Sequence, residues 1–148
     1  MRNIFYQRQW AESVRLYSGL LEGNERYELI LSLSEKDILL AAECKNIVAN
    51  DEPEIEDKLI KVAVNDAQKF SKTSISTKGF LALSELDRHD EISRIFSTIK
   101  NFSGTHTEVV MNFIVNGKEM QISTFLEIVS SLVAGLYWNG LITTDTTL

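Results

Sequence analysis

The stretch Thr107-Glu108-Val109-Val110-Met111-Asn112-Phe113-Ile114-Val115-Asn116-Gly117-Lys118-Glu119-Met120-Gln121-Ile122-Ser123 decides how this chain is read. Val109, Met111, Phe113 and Val115 alternate with Glu108, Val110, Asn112 and Ile114, the period of a half-buried strand. Asn116-Gly117 then offers the left-handed conformations that a two-residue type I′ turn requires. The pattern predicts a β-hairpin over 107–123. Its register would set Val115 opposite Lys118, Phe113 opposite Met120 and Met111 opposite Ile122 on one face. Ile114 opposite Glu119, Asn112 opposite Gln121 and Val110 opposite Ser123 would form the other face. Beyond the hairpin, Thr124-Phe125-Leu126-Glu127 has the form of a capping box. It would open a helix whose Phe125, Ile128, Val129, Leu132, Val133 and Leu136 make one apolar stripe, suited to cover the hairpin's apolar face.

Upstream, Tyr6, Trp10, Val14, Tyr17 and Leu21 recur at helical spacing and predict a first helix that ends near Gly23-Asn24. Tyr27, Leu29, Leu31 and Leu33 alternate with Arg26, Glu28, Ile30 and Ser32, which predicts a strand over 26–33 as a third partner for the hairpin. Ser34 to Asn50 carries two patterns. Ser34-Glu35-Lys36-Asp37 followed by good helix formers favours a helix to about Ala49, whereas alternation of Ile38, Leu40, Ala42 and Cys44 would suit a strand; helix is the preferred reading.

Asp51 or Glu52 would cap the next helix, with Pro53 in its first turn and Ile55, Leu59, Val62, Ala63 and Phe70 inward, running to about Lys72. Thr73 to Thr77 reads as a Ser/Thr-rich loop, with Gly79 as a breaker and an internal joint there. Phe80, Leu83 and Leu86 mark a short helical or irregular piece. Asp87 would cap a further helix with Ile92, Ile95, Phe96 and Ile99 inward, closing at Phe102-Ser103-Gly104. The expected fold is α+β: a small antiparallel sheet, hairpin 107–123 plus strand 26–33, covered by four to five helices. A single domain over 1–148 is expected, with Thr143 to Leu148 frayed.

Composition bounds the function. The chain has 148 residues, 44% of them hydrophobic and 24% charged, within the range of one folded domain. No apolar run reaches membrane-spanning length, and the N-terminus lacks an apolar signal core, so a cytoplasmic protein is expected. The net charge of −6 and pI near 5.0 argue against nucleic-acid binding, which rests on basic patches. Cys44 is the single cysteine; an internal disulfide and a thiolate metal cluster within one chain are therefore excluded, and the expected state is a buried, inert thiol. Asn101-Phe102-Ser103 fits a glycosylation sequon, but in a chain with no export signal it is read as chance.

Few residues point to chemistry. Asp51, Glu52, Glu54, Glu56 and Asp57 put five carboxylates in seven residues, an anionic knob for a basic protein, although carboxylates in a helix's first turn also stabilise its dipole. Asp87, His89, Asp90 and Glu91 could suggest a metal or acid–base site, but His89 has the wrong helical spacing and capping explains the cluster better. His106 has no orienting carboxylate nearby and is expected at a strand edge. No phosphate loop, paired-histidine zinc motif or nucleophile elbow occurs. Tyr6, Trp10 and Tyr17, with Tyr137 and Trp138 at the other end, either close the core or form a binding surface, being residue types that dominate interfaces.

No family is recognised. The order of elements is similar to that of small α+β chaperone and immunity-type proteins, with no motif to carry the likeness. The expected function is a non-catalytic, cytosolic protein-binding module without cofactor or metal: a small acidic inhibitor, immunity-like or chaperone-like partner of a larger, basic protein. One alternative is a structural subunit or homo-oligomer, a homodimer included, in which the aromatic helices pair. The other is a ligand sensor or enzyme using Glu108, Asn112, Glu119 and Gln121 on the hairpin's polar face.

Overall fold

The computed structural model describes the backbone of residues 4–48 and 52–138, with side chains over 9–48 and 52–134. Among them the fold is entirely helical, and the expected α+β class with its antiparallel sheet is corrected. Eight helices follow in order: α1 (Ile4–Leu20), α2 (Gly23–Lys36), α3 (Ile38–Ile47), α4 (Pro53–Ala67), α5 (Thr73–Glu85), α6 (His89–Ser97), α7 (Gly104–Asn116) and α8 (Glu119–Trp138). The architectural likeness to α+β immunity-type proteins falls with the sheet.

The hairpin segment is α7, a two-residue connection and the start of α8. Val109 and Phe113, four residues apart, are fully buried, and Val110 and Ile114 beside them are half-buried. This is a helical stripe that the alternation concealed. Met111 and Val115, expected in the same apolar face as Phe113, are exposed on the other side of α7. Gly117 does not use a left-handed conformation. It sits at φ −78° and ψ 160° as the C-cap of α7, and its N–H donates to the Phe113 carbonyl at 2.7 Å.

The expected strand 26–33 is α2, whose buried residues Arg26, Ile30, Leu33 and Ser34 recur at four, three and one. The helical reading of 34–50 is right in kind but opens later. Lys36 still belongs to α2, and Asp37 at φ −153° breaks the chain there, its carboxylate accepting the N–H of Leu40 at 3.1 Å to cap α3. Ala49 and Asn50 lie outside the described residues, as do Thr143 to Leu148, where fraying was expected.

The Ser/Thr-rich segment is not a loop. It opens α5, the most enclosed helix, with Ser76, Thr77, Gly79, Phe80, Leu81, Ala82, Leu83 and Ser84 buried. Poor helix propensity is overridden because the hydroxyls find carbonyls: Thr77 Oγ1 donates to Thr73 at 2.7 Å and Ser76 Oγ to Ala67 of α4 at 2.6 Å. Gly79 is a packing residue rather than a breaker. A Cβ there would stand 2.4 Å from the Ala67 nitrogen and 2.7 Å from the Ala63 oxygen, so α4 and α5 cross at a distance only glycine permits.

Asp87 does not cap α6 either. Its φ of +58° makes it the left-handed residue that ends α5, with Arg88 N–H on the Leu83 carbonyl at 2.8 Å and Asp87 N–H on Ser84 at 3.0 Å, a Schellman motif. The inward set Ile92, Ile95, Phe96 and Ile99 is buried as expected. Helix α4 stops at Ala67, short of Lys72, and α8 begins at Glu119, so Thr124 lies inside it and donates to the Met120 carbonyl at 3.2 Å.

The helices form two layers. In one, α1 packs on α3, α3 on α5 and α5 on α7; in the other, α2 packs on α4, α4 on α6 and α6 on α8. Contacts between the layers join consecutive helices from α1 through α6. Backbone packing thus runs between neighbours and next neighbours along the chain, the quasi-one-dimensional organisation of stacked helix pairs. Two kinds of core fill it. Around α3, α4 and α5 small residues dominate, with Ala41, Ala42, Ala63, Ala67 and Ala82 fully buried. Farther along, Phe80, Phe96, Phe113 and Phe125 join α5 to α8, with Phe113 and Phe125 stacked at 3.8 Å between centroids and Phe80 and Phe96 at 5.0 Å.

Candidate interaction surface

Helix α1 turns Ala11, Val14 and Ser18 inward, at spacings of three and four. Arg15 ties its flank to α3 through Glu43 at 3.1 Å. Away from that inward side α1 leaves large apolar side chains in water, Trp10 50% exposed, Leu16 66%, Tyr17 56% and Leu20 81%, with exposed Gln9 and Ser13 between them. Exposed large apolar side chains are not spread evenly. Ten occur among the described residues, and eight lie on the terminal helices: these four on α1, Met111 and Val115 on α7, and Met120 and Leu126 on α8.

The expected site residues are therefore dispersed. Trp10 and Tyr17 share one exposed face, whereas the side chains of Tyr6, Tyr137 and Trp138 lie outside the described ones, as does Asp51. The anionic block is partly internal. Glu52, expected to face a partner, is held by the buried guanidinium of Arg26, whose Nε and Nη2 each lie 3.0 Å from its carboxylate. Glu56 approaches Lys45 at 3.8 Å, and Glu54 and Asp57 are exposed.

Arg26 is the residue that sequence reasoning missed. Only 3% exposed, it also donates to the carbonyls of Ser18 at 2.9 Å, Cys44 at 3.1 Å and Lys45 at 3.0 Å. It thereby caps the C-terminal ends of α1 and α3 and grips the N-terminal end of α4 with one planar, five-donor group. An arginine within an alternating apolar run carries no signal of this role.

Other polar groups are engaged too, although the buried Nε of Arg15 and of Arg88, Oγ of Ser84 and Nδ1 of His89 have no hydrogen-bond partner. Glu85 receives Lys118 at 3.0 Å, Gln121 at 3.2 Å and Asn46 at 3.3 Å. Although burial opposes it, these bonds hold its carboxyl below the usual range. Glu108 accepts from Thr73 at 3.3 Å, and Asn112 borders a groove of about 350 Å³ between α3, α5 and α7. With Gln121 committed to Glu85 and Glu119 exposed, the four residues of the supposed polar sheet face converge on nothing.

His106 begins no strand. It occupies the third position of α7, where Nδ1 accepts the Ser103 backbone N–H at 2.8 Å, its ring lying between Phe70 and Phe102 at 4.4 and 5.3 Å. Burial pushes its pKa down. Cys44 is fully buried, and desolvation raises its pKa, so the thiol persists. His89 Nε2 faces Asp87 at 3.2 Å while Glu91 pairs with Arg94 at 2.8 Å. Among the described residues no group of three or more His, Cys, Asp or Glu is placed to hold a metal ion.

A surface cleft of about 530 Å³ opens between α2 and the start of α4, against Tyr27, Glu54 and Ile55. Lys58 covers the Tyr27 ring at 4.8 Å from its centroid and bonds its hydroxyl, so the one aromatic wall is already occupied. No described helix is long and apolar enough to cross a membrane. The chain matches no protein-family model, no curated protein and no solved structure.

Proposed function

We propose that this chain is a non-catalytic, cytosolic protein-binding module that docks an amphipathic helix of a partner protein on the outer face of α1. The observation that carries the reading is the apolar face of Trp10, Leu16, Tyr17 and Leu20 on the terminal helix of its layer. Each inner helix of that layer is covered on both sides, α3 by α1 and α5, and α5 by α3 and α7. The outer side of α1 carries exposed apolar side chains, and beyond α2 and α3 no helix of the described chain packs closely on α1. Trp and Tyr supply large contact area at low entropic cost and are the side chains most often found as interface anchors. A helix laid along this face would bury them by the packing that joins α1 to α3.

The test compares partners recovered from cell extract by the wild-type chain and by Trp10→Asp. A protein retained by the first and lost by the second supports docking at α1. Identical recoveries would refute it.

A further inference from the structure

We infer that the helix which docks on α1 is α7 of a second copy, so that the chain stacks head to tail. This deepens the reading of α1 as a docking face and rests on it. The row α1, α3, α5, α7 is built from one repeated step, each helix lying against the next but one in sequence. The row ends at α7, whose Val109 and Phe113 are buried inward while Met111 and Val115 stand 55% and 77% exposed on the opposite side.

The two ends differ in chemistry and suit each other. One presents Trp10 and Tyr17; the other presents Val115 and Met111, a flexible thioether that moulds to irregular surfaces and makes favourable contacts with aromatic rings. Placing α1 of one copy on α7 of another continues the row as α3, α5, α7, α1 with the same step. It would cover in one contact the two apolar surfaces that the stack leaves open. Such an interface is heterologous: different surfaces meet, and each added copy leaves one of each kind for the next. Pairing α1 with α1 would cover one end only and leave Met111 and Val115 in water.

Sedimentation velocity on purified protein tests this with two variants, one at each end: Trp10→Asp, and Met111→Asp combined with Val115→Asp. All three positions are exposed, and circular dichroism is the check that both variants keep the helical fold. Wild type is expected to associate with rising concentration and to pass beyond a dimer. Each variant alone is expected to need about thirtyfold more protein for the same association, the effect of losing an interface anchor. Mixed, the two variants are expected to form a one-to-one dimer and nothing larger, because each supplies the intact end that the other lacks. A wild type that stays monomeric overturns the inference, as does a Met111/Val115 variant that dimerises alone, or a mixture that forms no dimer. If wild type is monomeric while extract still yields a protein that Trp10→Asp loses, only self-stacking fails. If that protein is missing too, docking at α1 fails with it.

Discussion

The crossing of α4 and α5 and the outer face of α1 are both helix surfaces rich in non-polar atoms, yet they are built for opposite ends. At the crossing, Ala63, Ala67 and Gly79 bring two backbones so close that a single added methyl has no room. On α1, Trp10, Tyr17 and Leu20 stand more than half or about half in water, on a helix whose inner side is already packed. At the crossing small residues let two backbones meet, whereas on α1 large apolar side chains are left in water. The buried rings of Phe80, Phe96, Phe113 and Phe125 teach that size alone does not tell an inner contact from an outer one, and that exposure does.

Mutations should sharpen that contrast. The largest effect is expected inside, at Arg26→Ala, which strands the Glu52 carboxylate and the carbonyls of Ser18, Cys44 and Lys45 at once. Losing one partner of a buried ion pair costs about 4 kcal/mol, to be read from urea unfolding. Gly79→Ala comes next, at about 3 kcal/mol, because its Cβ would fall 2.4 Å from backbone that cannot swing aside. Equal stability of this variant and wild type would show that the helices do not cross so closely.

Asp87→Gly should work the other way. A non-glycine residue at φ +58° carries backbone strain, and glycine there should raise stability by about 0.5–1 kcal/mol, read as a higher thermal midpoint. Acid should loosen the start of α7. His106 accepts a hydrogen bond at Nδ1 and its pKa lies below the ordinary 6.5, so the folded chain favours the neutral ring. Its contribution is complete above pH 6.5 and is lost as pH falls through the lowered folded value. His106→Gln should flatten the dependence of the thermal midpoint in that window. A second loss follows below 4.5, where Glu85, whose folded pKa is also lowered, takes up its proton. Smallest of all, Trp10→Asp should change the stability of the isolated chain by less than about 0.5 kcal/mol, because the side chain is half in solvent. Unfolding of that variant would mean that Trp10 belongs to the core.

The sequence exposes helices well where one stripe is apolar and the caps are unambiguous. Pro53 at the start of α4 and the buried set Ile92, Ile95, Phe96 and Ile99 around α6 were both legible. It misleads where two periods overlap. In Val109-Val110-Met111-Asn112-Phe113-Ile114-Val115 the helical pair Val109 and Phe113 is also part of a period-two series, and β-branched residues strengthen the wrong reading. Asn116-Gly117 serves a hairpin turn and a helix C-terminus equally, so the dipeptide could not break the tie. Arg26 hid the stripe of α2, since a charged residue counts as exposed until its partners are known. For α5 the signal lay in Ala63, Ala67 and Gly79, but small residues spaced along two helices declare a crossing only once both helices are in place. Of the surface, Trp10 and Tyr17 were legible as candidates, while their exposure, which separates an interface from a core, is a property of tertiary packing.

Native-state hydrogen exchange, residue by residue on the monomer at low concentration, tests the central claim most directly. In a stack whose backbone packing runs between near neighbours, protection is expected to be greatest in α4 and α5 and to decline toward α1 on one side and α8 on the other. Within 107–123, protected amides should follow the helical pattern of α7. Uniform protection from α1 to α8, or alternating protection across Thr107 to Ser123, would contradict the account.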